Sequence, residues 1–172
     1  MLRALRPVTQ GRLCIVLGCG GDRDRAKRPL MGAAAVALAD LAILTSDNPR
    51  SEDPLAILAE MLQGVLTVPA GQRGRLIIEP DRAAAIGLAI AGAGNGDIVV
   101  VAGKGHETGQ YVAGAVIPFD DREVAAEALA GLPSTGHGAS PGSAGPGEPP
   151  IEQSLIEQGL IRRPAAGRQE DA

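Results

Sequence analysis

The chain has 172 residues, with 16 Lys and Arg against 20 Asp and Glu, and a formal net charge of -4. Together with an isoelectric point near 5.2, this argues against a general nucleic-acid surface. One Tyr, one Phe and no Trp leave the core to aliphatic side chains, and no apolar stretch approaches the ~18 residues of a membrane span.

Residues 1–12 read as the end of a helix that began upstream, with Leu2 and Leu5 three apart and Pro7 as its stop. They have no long apolar run of the signal-peptide kind, so a soluble, cytoplasmic protein is expected. Leu13 to Leu17 is a short apolar run between glycines and predicts a buried strand. Cys14 falls in it and Cys19 in the glycine loop that follows, a pattern of neither disulfide framework nor metal knuckle. Pro29 suits the first turn of a helix to about Asp40, with Leu30, Ala33, Ala34, Ala37, Leu38 and Leu41 as its inner face. Leu41 to Leu44 is the next strand. Asp53 then caps a helix with Pro54 at its first position and Leu55, Leu58 and Leu62 as its stripe.

Leu76 to Ile78 predicts a third strand. Asp81 caps a helix to about Ala91, ended by Gly92 and Gly94, and Asp97 to Ala102 gives a fourth strand. Tyr111-Val112 and Val116-Ile117 resemble a hairpin, and a last helix is expected from Asp121 to Ala130. Alternating strands and helices point to an α/β fold, a mostly parallel sheet covered on both faces with the hairpin as an antiparallel edge. From Pro133 to Pro150 ten of eighteen residues are Gly or Pro and none is Val, Ile, Leu or aromatic. Such a segment cannot bury enough surface to order itself, so 132–172 is expected to be a disordered tail with a short helix at 151–161.

Three polar boxes follow three of the strands: Gly18-Cys19-Gly20-Gly21-Asp22-Arg23-Asp24, Thr45-Ser46-Asp47-Asn48-Pro49-Arg50, and Gly103-Lys104-Gly105-His106-Glu107. Open α/β sheets bind ligands outside the carboxyl ends of their strands, so the boxes predict one shared site. The first is no dinucleotide fingerprint, since Arg23 stands where the third glycine would. No Walker A sequence occurs in the chain, and Gly103-Lys104-Gly105 resembles one only superficially. Arg23, Arg25, Lys27 and Arg28 crowd a helix start, where an anion would fit; the other reading is a solvated basic loop with Asp22 and Asp24 as partners. Arg23 and Arg50 beside Asp47 and Glu107 complement a zwitterion such as a free amino acid: arginines grip a carboxylate, acids and carbonyls receive an ammonium. The alternative is that Asp47 and Arg50 pair locally and shape a turn. His106 is read as a hydrogen-bonded loop residue, no side chain is assigned a catalytic role, and no metal site is expected.

The three boxes, with Lys27-Arg28-Pro29-Leu30-Met31-Gly32 and Val101-Ala102 in the same order, resemble the C-terminal domain of the Mur ligases. Within that family the likeness is to the members that add meso-diaminopimelate, and it runs from about Leu13 to Leu129. It implies a Rossmann-like domain (13–131) of a three-domain, ATP-dependent ligase of peptidoglycan synthesis. It further implies that Arg50 and Asn48 hold the distal carboxylate end of diaminopimelate, and that Arg23 binds a substrate carboxylate. Asp47, the Gly103 carbonyl and Glu107 would complete the pocket. In the full-length family ATP and Mg2+ activate a carboxylate as acyl phosphate for attack by an amine, and UDP-MurNAc-dipeptide is held by other domains. Neither the ATP lysine and magnesium ligands nor the sugar-nucleotide domain has a counterpart in this sequence, so an isolated chain is expected to bind and not to ligate. A free-standing diaminopimelate or muropeptide-binding module, a ligase domain for another amino acid, and a folded relic remain the alternatives. Nucleic acid and membrane are not expected partners.

Overall fold

A computed structural model describes residues 1–112 and 114–132. The expected tail and the helix at 151–161 lie outside the described residues. The first turn, α1 (Leu2–Leu5), continues through Pro7 as a 3-10 turn (Arg6–Val8). Proline is tolerated there because its missing N–H would have no partner at a helix start.

Four strands form one parallel sheet: β1 (Leu13–Cys19), β2 (Leu41–Ser46), β3 (Arg75–Ile78) and β4 (Ile98–Ala102), in the order β3-β2-β1-β4. β1, β2 and β4 are runs of Val, Ile, Leu and small residues without proline, suited to burial on both faces, and β3, opening on exposed Arg75, is an edge. The chain steps outward from β1 to β2 to β3 through α2 (Lys27–Leu38) and α3 (Pro54–Thr67). It then returns through α4 (Arg82–Ala91) to the far side of β1. Right-handed crossovers put α2 and α3 on one face and α4 on the other.

Alternation along the strands serves both faces. Cys14, Val16, Leu41 and Ile43 pack with Ala85, Ile86, Ala89 and Ile90 of α4, and Val124, Ala125 and Ala128 of α5 (Asp121–Ala130) close over them. Leu13, Ile15, Leu17, Ala42 and Leu44, all buried, face the other way, toward the α2–α3 pair. Asp53, Asp81 and Asp120 cap α3, α4 and α5 by accepting from Leu55, Ala84 and Arg122 backbone N–H groups.

The inner face of α2 is not the one expected. Leu30 is 69% exposed and Ala34 and Ala37 are exposed, while Arg28, Gly32, Ala35 and Val36 are buried. A Cβ on Gly32 would collide with the Met61 carbonyl, so α2 lies backbone-close to α3. Glycine and alanine, not leucine, make that contact. Leu55 on α3 is likewise half exposed, and the buried stripe is Ile57, Leu58, Met61, Leu62, Gly64 and Val65.

The antiparallel hairpin is present as β5 (Gly109–Val112) and β6 (Ala115–Pro118). It pairs as a two-stranded sheet of its own and joins the loop after β2 through a bridge between Arg50 and Val112. No helix among the described residues is long and apolar enough to cross a membrane.

Candidate functional site

The strand order reverses between β1 and β4, where open α/β sheets form a ligand crevice at the carboxyl ends. Register levels those ends: Leu17 lies beside Ala102 and Cys19 beside Ser46. The next residues are therefore the three polar boxes. Gly103 has φ +108, and a Cβ there would stand 2.5 Å from the Gly18 carbonyl oxygen and 3.3 Å from Asp47 Oδ2. Only glycine fits that backbone and that space.

Asp47 is buried, and its Oδ1 has no hydrogen-bond partner among the described residues. Burial raises its carboxyl above the ordinary value of 3.8, opposed by Arg82 and Lys104. It forms no pair with Arg50, so the local turn-shaping pair is not what the fold contains. Arg50 instead donates from Nη1 to the Gly21 carbonyl at 2.7 Å and to the Asn48 carbonyl at 3.4 Å. Its backbone sits at φ 53, held by a bond from its N–H to the Tyr111 carbonyl at 2.9 Å. A left-handed arginine costs on the order of 1–3 kcal/mol, and such strain gathers where a side chain must be aimed.

Asn48 joins the two sides. Its Nδ2 donates to Glu107 Oε2, while its Oδ1 accepts from Tyr111 N at 2.9 Å and Lys104 Nζ at 3.4 Å. Its amide is largely engaged within the protein. Arg50 and Glu107 are thus both bonded to Asn48, Arg50 to its backbone carbonyl and Glu107 to its side-chain amide. Arg23 is exposed, its Cγ and the Arg50 Nη1 both close on Gly20, and its guanidinium has no hydrogen bond or ion pair among the described residues.

The helix-start cations are otherwise neutralised by the chain itself. Arg25 pairs with Glu60, Lys27 with Asp24 at 3.8 Å, and Arg28 with Glu52 and Glu60 at 2.7 and 2.9 Å. The anion expected there is supplied by these carboxylates. Gly21 N–H is given to the Asn48 carbonyl and Asp22 N–H to Glu52. These two donors are not free to cradle a phosphate, and no group of three His, Cys, Asp or Glu that could hold a metal occurs among the described residues. Those two glycine-loop N–H groups therefore form no phosphate cradle.

Sequence reasoning missed three buried cations. Arg28 is 1% exposed, grips Glu52 with two nitrogens and donates to the Gly20 carbonyl. Arg82 grips Asp121 through two 2.7 Å bonds and donates to the carbonyls of Ser46 and Ala102, tying the starts of α4 and α5 to the ends of β2 and β4. Lys104, read before as part of a superficial P-loop likeness, is 3% exposed. The first two had a signal: Arg28 is in phase with Gly32, Ala35 and Val36, and Arg82 with Ile86, Ala89 and Ile90. Cys14 and Cys19 are buried free thiols, Cys19 at the end of β1, with burial pushing the Cys19 thiol up to about 11. Burial of that kind disfavours the thiolate. His106 is exposed and makes no hydrogen bond among the described residues.

The chain is similar to known ligases. The UDP-N-acetylmuramoyl-L-alanyl-D-glutamate–2,6-diaminopimelate ligase of Streptomyces coelicolor is 65% identical over 129 residues, 75% of this chain and 26% of that protein. The enzyme of the same name from Caulobacter vibrioides is 55% identical over 132 residues, 77% of this chain and 26% of its own. A solved structure of such a ligase matches with a TM-score of 0.68 at 46% identity, covering 75% of this chain and 26% of the other. The chain therefore spans about a quarter of the length of these relatives. The family profile described as Mur ligase, glutamate ligase domain, matches residues 1–105, and the chain belongs to the Mur ligase family.

Proposed function

We propose that this chain binds the incoming amino acid in a MurE-type, ATP-dependent ligase, one that adds meso-diaminopimelate to UDP-MurNAc-L-Ala-D-Glu in the cytoplasmic stage of peptidoglycan synthesis. The observation that carries this reading is the buried Asp47 carboxylate, with Oδ1 unpartnered, in the same loop as a strained Arg50. Asp47, the Gly103 carbonyl and Glu107 receive an ammonium. Arg50, with the second N–H of Asn48, takes the distal carboxylate, and Arg23 takes the other carboxylate. A guanidinium holds a carboxylate through two parallel bonds, which rewards a ligand with a carboxylate at each end. L-Lysine has only hydrogen where diaminopimelate has its second carboxylate, and would leave the Arg50 guanidinium without a partner.

Binding and orientation are what these residues provide. The nucleotide, its metal and the sugar-nucleotide substrate belong to the other three quarters of the relatives' length, and ligation needs those parts supplied. The test is calorimetric titration of the chain with meso-diaminopimelate and with L-lysine. Diaminopimelate is expected to bind at least about tenfold more tightly than lysine. Arg50→Lys keeps the charge, loses the fork and should remove that preference. Equal affinities, or no heat with either compound, contradict the reading.

A further inference from the structure

The buried cation that the pocket reading leaves without a task is Lys104. Arg28 and Arg82 each face carboxylates. Lys104 forms no ion pair with a carboxylate among the described residues, although it is 3% exposed. Its charge is felt by Asp47 and Asp120 without direct contact, and burying a cation with no carboxylate in contact disfavours folding, so packing alone does not account for a lysine there.

Its ammonium makes two hydrogen bonds and one ring contact. Nζ donates to the Gly109 carbonyl and, at 3.4 Å, to Asn48 Oδ1, and it lies 5.7 Å from the centre of the Phe119 ring. The two hydrogen bonds have different consequences. At Asn48, Lys104 and the Tyr111 N–H both point at Oδ1. Reversing the amide would set its NH2 group against two donors, so these donors dictate that Nδ2 faces Glu107. At Gly109, Lys104 holds the first residue of β5. That strand gives Gln110 Nε2 to the Asp47 carbonyl at 2.8 Å and the Tyr111 carbonyl to Arg50 N–H.

We propose that Lys104 is a positioning residue: from beneath the pocket it fixes the facing of the Asn48 amide, hence the Glu107 carboxylate, and hooks the β5–β6 hairpin to the Asp47–Arg50 loop. The acceptor wall is thereby preformed for the ammonium of a dipolar amino acid. The ligand part of this rests on the pocket reading above; the positioning part does not.

The test compares the isotope-labelled 172-residue chain with Lys104→Met, which keeps the length and loses charge and donors. NMR hydrogen exchange reads the Tyr111 N–H and the Asn48 side-chain amide, and calorimetry reads meso-diaminopimelate affinity per folded molecule. In Lys104→Met both exchange protections and the affinity fall by at least about tenfold. A lysine that only packs would lower the melting temperature and leave exchange and affinity unchanged, which overturns the proposal. Should Lys104→Met fail to fold, the wild-type chain decides. A slowly exchanging Lys104 ammonium signal supports the proposal, and one exchanging as fast as a surface lysine overturns it. A wild-type chain that does not bind diaminopimelate refutes the pocket reading alone, since the exchange measurements still decide the role of Lys104.

Discussion

Two groups of charged side chains stand behind the loops that follow β1 and β2, and they end in opposite states. Around Arg28 nearly every charge is matched: its guanidinium meets Glu52, Glu60 and the Gly20 carbonyl, Arg25 meets Glu60, and only Arg28 Nε lacks a partner. Around Asp47 the matching is incomplete: one buried carboxylate oxygen has no partner and Arg23 has none among the described residues. Both groups draw on Arg, Asp and Glu. What separates scaffold from candidate site is which of those groups the folded chain leaves unanswered.

The sharpest way to break this contrast is to remove Arg28. Arg28→Met leaves Glu52 without its cation and Glu60 with Arg25 alone. It should lower stability by about 2–3 kcal/mol, below the full cost of a broken buried pair because the glutamates keep some water. Urea midpoints check the loss, and affinity per folded molecule should hardly change. Asp47→Asn is the opposite case. Burial raises the Asp47 carboxyl, so its ionised form works against the fold as pH rises through the raised value. The variant should melt higher at neutral pH and lose diaminopimelate binding. A lower melting temperature would mean that Asp47 is scaffold after all.

Acid titration separates the two groups further. Arg28 and the Asp22 N–H pull the Glu52 carboxyl from 4.5 down to about 2. Its contribution is therefore complete above about 4.5 and lost as pH falls toward about 2. Circular dichroism of the wild type and Glu52→Gln across that window should show a smaller acid loss in the variant. Smallest of all is Leu30→Ser, expected within about 0.5 kcal/mol because Leu30 is surface. Gly32→Ala, two residues on, should cost about 1–3 kcal/mol in the same melts, since its methyl has no room against Met61.

Strands and caps were legible because they are local: aliphatic runs end at glycines, and Asp53 and Asp81 precede their helices. The three boxes could be placed after strands for the same reason. Which strand ends are neighbours was not legible, since β1 lies between β2 and β4 only through a crossover spanning the sheet. The face of α2 was misread because an alanine-rich helix offers little contrast, and its one prominent leucine points outward. Arg28 and Arg82 sat visibly in apolar phase, yet their partners Glu52 and Asp121 are 24 and 39 residues away. Pairs of that separation leave no periodic trace. The docking of the hairpin on the Asp47–Arg50 loop is of the same kind: Gln110 and Tyr111 bond to Asp47 and Asn48 from 63 residues away.

On the proposed reading, Asp47 is an acceptor awaiting an ammonium. Carbon-detected NMR titration of its side-chain carboxyl, without and with saturating meso-diaminopimelate, tests this most directly. Without ligand the midpoint should lie above the ordinary aspartate value of 3.8. With ligand it should move down, because a nearby ammonium favours the carboxylate. A midpoint indifferent to the ligand would contradict the account.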